Sequence, residues 1–393
     1  MLHPSQLPEP SASALAVSNE LVERIRNVIA HAGGHIGFDD FMRMSLYEPG
    51  LGYYLAGAVK FGRDGDFITA PELSPMFGRC IARQCREVLE ATGGNVVEFG
   101  AGSGRLAASV LTALACFDSL PDRYVIIELS PELRERQRHT LGKHAAAHLD
   151  RVEWINHLPE ASMNGVILAN EILDAIPVKI FKTNAGRIYE RRVQAMIDRF
   201  TWIDVAADGG LKDKVRGLMA QDIIASATDY VSEFNIGIVP WIADLARLMD
   251  HAVALIIDYG FPQAEYYHPL RNSGTLMCHF RHRVHDDPFW LPGIQDITAS
   301  VDFTCVAEAA DTSNLRVLGF TEQSSFLLSC GLLDDAERGA RSADELLRQR
   351  IAHEIKILTL PTEMGARFKV MALGKDYKGS LRGFQRRDDR HRL

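Results

Sequence analysis

Apolar and polar positions follow two rhythms along this chain. The first is helical. Leu21, Ile25, Val28 and Ile29 repeat at three- and four-residue spacing behind Ser18, a residue suited to cap a helix. Phe38 to Leu46 predicts a second short helix, Pro75 to Leu89 a third, and Ile238 to Asp250 another. The second rhythm is the short β-branched apolar run of a strand buried on both faces. It occurs at Val96–Phe99, Tyr124–Glu128, Val152–Ile155, Gly165–Asn170, Ala252–Asp258 and Phe368–Leu373. Between the first two runs, Leu106, Val110, Leu111 and Leu114 mark one face of a helix. Strand, helix and strand in that order make a βαβ unit, so the fold class is α/β with a doubly wound, Rossmann-like parallel sheet.

The rhythm changes after Val178. Ile180–Lys182, Ile188–Val193 and Phe200–Val205 alternate as short antiparallel strands separated by turns. Residues 180–250 therefore read as an insertion between neighbouring sheet strands, in a position to recognise substrate or to be a plain structural excursion. Residues 91–179 and 251–393 form the core, and residues 18–90 an N-terminal helical and lid segment. That segment holds a glycine- and aromatic-rich loop from Pro49 to Gly62. Residues 1–17, rich in Pro, Ser and Ala, are expected to be disordered. The basic stretch from Lys375 to Leu393 reads as a solvated tail.

The 393 residues are 47% hydrophobic and 24% charged, with a formal net charge of −8. An acidic balance argues against nucleic-acid binding, which needs a basic face. None of the six cysteines forms a Cys-x-x-Cys pair, so they read as free buried thiols in a reducing cytoplasm. No apolar run is long enough for a membrane span, and no export signal or arginine-rich presequence is evident. A cytoplasmic location is the expectation.

The most informative stretch is Val96-Val97-Glu98-Phe99-Gly100-Ala101-Gly102-Ser103-Gly104. A strand ending in bare glycines lets main chain approach a nucleotide-like ligand closely. The dinucleotide pattern Gly-x-Gly-x-x-Gly is not met from Gly100, because position 105 is Arg105; from Gly102 it survives only as Ala107. A nicotinamide oxidoreductase is thereby disfavoured. Glu98 suits a ligand carrying positive charge. Glu128 ends the next strand, where a carboxylate holds ribose hydroxyls; as a plain alternative it is a charge near a helix N-terminus.

Glu98–Gly104 and Ile127-Glu128-Leu129-Ser130 resemble the class I S-adenosylmethionine-dependent methyltransferases. Tyr47–Tyr54, Gly65–Pro75, Ala169–Val178 and Ile257–Gly260 narrow the resemblance to the MidA family, whose mitochondrial members are arginine methyltransferases that help assemble respiratory complex I. Ala101 and Ser103 stand where that family often carries proline and a basic residue. The resemblance implies S-adenosyl-L-methionine as cofactor. It also implies donor contact for the segment with Asp66, Thr69, Pro71 and Glu72, joining Glu98, Gly100, Gly102, Gly104, Glu128 and Leu129. The partner it implies is a protein with an accessible arginine, such as a complex I subunit, with no nucleic acid and no membrane insertion.

Methyl transfer to a guanidinium brings two cations together in a low-dielectric site, and the guanidinium holds its proton tightly. Carboxylates answer both problems by neutralising and orienting the acceptor. Glu171 and Asp174 are the candidates, and a helical turn would put them on one face. Asn170 offers an amide and Tyr259 a ring for stacking. Glu171 as a helix cap, Asp174 as a solvated acid and Tyr259 as a buried core residue are the plain alternatives. His279, His282 and His285 do not share the one-face spacing of a zinc helix, so no metal is expected; a loop over the active site suits them better. Two other functions remain open: a small-molecule O- or N-methyltransferase, and a non-catalytic assembly factor on the same fold.

Overall fold

The computed structural model describes residues 7–56, 69–221, 223–224, 229–341 and 343–393. The chain divides into two compact units. The parallel-sheet unit comprises Ile68–Ile172, Val239–Gly260 and Phe303–Leu393. The antiparallel unit comprises Met1–Phe67, Leu173–Ile238 and Phe261–Asp302.

In the parallel-sheet unit the strands are β1 (Asn95–Phe99), β2 (Tyr124–Ile127), β3 (Val152–Ile155), β4 (Met163–Asn170), β5 (Met249–Phe261), β6 (Arg316–Glu322) and β7 (Phe368–Lys375). They lie in the order β6-β7-β5-β4-β1-β2-β3. The run from β3 to β5 is parallel, while β7 is antiparallel to both β5 and β6. The strand order reverses between β1 and β4, the switch point of a doubly wound sheet. Ser74 starts the Pro75–Thr92 helix by accepting from the Met76 amide at 3.2 Å, with proline in the first turn. Phe77, Ile81 and Val88 of that helix share one core with Leu106, Val110 and Leu111 and with Val96, Ile126, Leu168 and Leu255 of the sheet.

The antiparallel unit holds a sheet with the order His35–Gly37, Arg187–Ala195, Val178–Asn184, Tyr230–Asn235, to which Phe200–Ala206 adds beside Arg187–Ala195. A second sheet pairs Met277–Phe280 with Arg283–His285 on one side and Asp296–Thr298 on the other. Helices Ala12–His31 and Phe38–Tyr47 bury Leu21, Ile25, Phe38 and Phe41 in its core.

Four features depart from the sequence reading. Residues 12–17 are helical, with Ser11 as the cap, because alanine is the strongest helix former and offsets the serines. The contacts split the N-terminal segment between the units and gather residues 261–302 with the insertion, a grouping that local pattern does not encode. The sequence reading predicted neither the Gly209–Ala220 helix nor the Met277–Thr298 sheet. Finally, the basic tail is docked. Arg382 pairs with Glu87 at 2.9 Å, Arg387 with Glu322 at 2.7 Å, and Arg390 Nη1 donates to the Val317 carbonyl at 3.2 Å. Among the described residues, no helix is long and apolar enough to cross a membrane.

Phe384 in that tail is buried edge-on against Phe326, with ring centroids 5.6 Å apart. Gly319 leaves room for it: a Cβ there would lie 2.3 Å from the Phe384 ring. Phe384→Ala is expected to lower unfolding free energy by about 3–5 kcal/mol in urea. A loss under about 1 kcal/mol would show that the tail is not part of the core.

Candidate active site

The carboxyl ends of β1, β2 and β4 finish level. Phe99 stands opposite Ile127 and Ala169, and Asn170 opposite Ile257. The ladder then runs one residue further. Gly100 N donates to Ile127 O at 3.0 Å, Glu128 N to Ile155 O at 3.0 Å, and Glu171 N to Ile257 O at 2.9 Å. Gly100, Glu128 and Glu171 thus share the rim where open α/β sheets hold ligands.

Gly100, Gly102 and Gly104 have φ of +56°, +52° and +84°. Side chains would strain this turn and fill its surroundings. A Cβ on Gly100 would lie 2.8 Å from Ile172 Cδ1, and one on Gly104 3.1 Å from the Gln137 Cα. Ser103 Oγ donates to Glu72, and Arg105 approaches the same carboxylate at 3.9 Å. The Ala70–Leu73 turn, with Thr69 at its cap position and Pro71 inside it, is thereby tied to the glycine turn. Asp66 lies outside the described residues.

Glu128 is fixed on both oxygens. Oε1 accepts from the Ser130 amide at 2.9 Å and Oε2 from Gln137 Nε2 at 3.0 Å. Burial raises its pKa, against the pull of these donors. Leu129, the next residue, is 59% exposed. Gln137, which sequence reasoning missed, also donates to the Gly102 carbonyl at 3.1 Å and accepts from Trp154 Nε1 at 3.0 Å. Its signal was the stripe Leu133, Gln137, Leu141, the buried face of an otherwise polar helix.

Glu98 sits deeper than its place in the motif implies. Its carboxylate accepts from Tyr124 Oη at 2.6 Å, in electrostatic reach of Cys85. Burial pushes its pKa up to about 7.

The acceptor candidates fall in both units. Asn170 Nδ2 donates to Glu171 Oε1 at 3.0 Å, while Asn170 Oδ1 is a buried acceptor without a partner among the described residues. Glu171 has φ +55°, a left-handed conformation that β-carbon residues rarely hold. The chain after it runs as a bend and turn, so the shared helical face expected for Glu171 and Asp174 does not form. A left-handed residue at that position turns the chain out of helical geometry. Asp174 is buried in the antiparallel unit, its carbonyl accepting from the Ala299 amide at 3.0 Å. Tyr259 packs edge-on against Phe368 at 5.7 Å. The three histidines lie on a hairpin rather than a loop. His279 and His285 occupy paired strands, and His282 its turn, because the alternating Met277–Phe280 segment finds partners on both sides.

A carboxyl with a raised folded pKa keeps its proton where the unfolded chain releases it. Stability is then lost as pH rises from about 4.5 to about 7. Glu98→Gln removes this dependence. Between pH 5 and 8 the wild type is expected to lose about 2–3 kcal/mol relative to the variant in denaturant titrations. Parallel curves would mean that Glu98 ionises normally.

Residues 80–321 match a family model described as "Putative S-adenosyl-L-methionine-dependent methyltransferase". A crystal structure of a Burkholderia thailandensis protein bound to S-adenosyl-homocysteine is 42% identical, with TM-score 0.94, covering 99% of this chain and 100% of that one. Curated relatives include the mitochondrial protein arginine methyltransferase homolog of Drosophila melanogaster, 28% identical over 94% of this chain and 88% of its own. That of Danio rerio is 26% identical over 92% and 89%. The expected cytoplasmic location is overturned, since these relatives are mitochondrial by name. Thiols outside any Cys-x-x-Cys pattern fit any reducing compartment and could not carry that choice. With the family match spanning more than half of its length, the chain belongs to the S-adenosyl-L-methionine-dependent methyltransferases.

Proposed function

We propose that the protein transfers a methyl group from S-adenosylmethionine to an arginine guanidinium of a protein. One observation carries the donor half: the Glu128 carboxylate is held at the rim by the same Gln137 amide that grips the glycine turn. The residues fit the donor. The bare turn at Gly100, Gly102 and Gly104 admits close main-chain approach, Glu128 accepts from ribose hydroxyls, and exposed Leu129 offers an apolar face to the base. Thr69 and Pro71 border the same turn, and Glu98 places a titratable carboxyl beneath it. When bound, the donor supplies an electrophilic methyl on a sulfonium.

Glu171 and Asp174 are assigned to the acceptor. A carboxylate beside a guanidinium cancels its charge, fixes its plane through paired hydrogen bonds and holds electron density on the attacking nitrogen. Asn170 Oδ1 is a buried acceptor that an N–H donor would satisfy. Tyr259 contributes a ring edge of the rim. We take the acceptor to be a respiratory complex I subunit. What supports this is the resemblance of Tyr47–Tyr54 and Gly65–Pro75 to the MidA family, together with relatives named mitochondrial protein arginine methyltransferases.

S-adenosylhomocysteine at a hundred times its dissociation constant should stabilise the protein by about 2.7 kcal/mol, seen as a raised melting temperature. Glu128→Gln should weaken its binding about 10- to 100-fold, the scale of a hydrogen bond to a charged group. No shift at saturating ligand would sink the donor assignment. Incubation with labelled donor and complex I tests the acceptor by identifying the labelled polypeptide. Glu171→Gln should slow that labelling about a hundredfold and leave S-adenosylhomocysteine affinity within about twofold. Equal losses of both would make Glu171 a donor-binding or folding residue.

A further inference from the structure

The antiparallel unit holds a buried polar cluster around Asp296, a residue that no motif in the sequence marks. Tyr54 Oη donates to Asp296 Oδ1 at 3.0 Å, and Tyr47 Oη to the Ala175 carbonyl at 3.0 Å. The two rings stack at 5.4 Å with 24° between their planes. Asp296 and Asp174 are 2% and 6% exposed, and both act electrostatically on both tyrosines, raising their pKa values alongside burial. The Asp174 carbonyl accepts from Ala299, which binds its turn to the Asp296–Thr298 strand.

A second observation points to a ligand. Thr298 is 3% exposed, and its Oγ1 has no partner among the described residues. Strand alternation puts Thr298 on the same face as Asp296, while Ile297 between them joins the apolar cluster of Phe38 and Phe41. His279 stands opposite Asp296 in register; burial, with a smaller effect of His285, lowers its pKa to about 4, so it brings no positive charge at neutral pH.

Two buried carboxylates, a stacked aromatic pair and an unused hydroxyl suit one kind of group. A guanidinium is flat, carries five N–H donors in a fixed fork and stacks on aromatic faces. An ammonium uses neither the fork nor the plane. Among the described residues, no group of three or more His, Cys, Asp or Glu is arranged to hold a metal. We propose that Asp296, with Asp174, Tyr47, Tyr54 and Thr298, forms a guanidinium-binding subsite within the antiparallel unit, built for an arginine side chain. The subsite rests on the arginine-methyltransferase reading and adds to it the residues that select arginine over lysine.

The test titrates N-acetyl-arginine amide into the full chain saturated with S-adenosylhomocysteine, with the citrulline and lysine amides as controls, followed by calorimetry. Wild type should prefer arginine to either control by at least about tenfold. Asp296→Asn, which keeps shape and removes charge, should erase that preference and leave S-adenosylhomocysteine affinity within about twofold. Thr298→Val should weaken arginine-amide binding about threefold. Unchanged affinity in Asp296→Asn, or equal binding of lysine, overturns the subsite. If Asp296→Asn does not fold, Tyr54→Phe decides: about threefold weaker binding supports the subsite and unchanged binding overturns it. Wild type that binds S-adenosylhomocysteine but not arginine amide overturns the subsite alone. Wild type that binds neither overturns the methyltransferase reading beneath it.

Discussion

One buried amide holds the glycine-turn side of the rim together. Gln137 is fully buried and uses both ends of its side chain. Its nitrogen serves the Gly102 carbonyl and Glu128, and its oxygen receives the Trp154 indole. The turn after β1, the carboxylate after β2 and a ring from β3 are thus set by one planar group with no rotational slack. In a low-dielectric interior such a network is worth keeping only when every member is satisfied. Gly104 suits this arrangement, because its φ of +84° strains any other residue and a Cβ there would crowd the Gln137 Cα at 3.1 Å.

The site is also electrostatically loaded. Glu98 and Glu128 have raised pKa values from burial, so their charged forms are held at a cost in the free protein. A cationic ligand at this rim would recover part of that cost, so on the proposed reading the same carboxylates both burden the fold and favour the ligand. Glu171 adds backbone strain to the same rim, since its left-handed φ persists only where the surrounding ladder fixes it.

Much of the parallel-sheet unit was legible in the chain. The apolar runs at Val96, Tyr124, Val152, Gly165, Ala252 and Phe368 all became strands of one sheet, and their order put Gly100 and Glu128 on the carboxyl edge of its parallel strands. Gln137 escaped because a polar residue on a polar helix carries no hydrophobic signal of its own. Asp296 escaped for another reason: its strand is three residues long, too short for a period, and its partner Tyr54 is 242 positions away. The docked tail was misread similarly, since its arginines answer to Glu87 and Glu322, acids that no local window contains.

The placement of β7 has a consequence for how the molecule is made. Among the described strands of its sheet, β6 pairs with β7 alone, and β7 fills the side of β5 away from β4. During synthesis the ribosome releases β1 to β6 before Phe368–Lys375 emerges. Until then a nascent polypeptide displays unpaired backbone on an apolar strand, a template for aggregation. Closure of this sheet therefore waits for Phe368–Lys375, and the interval before it is when a chaperone would have most to protect.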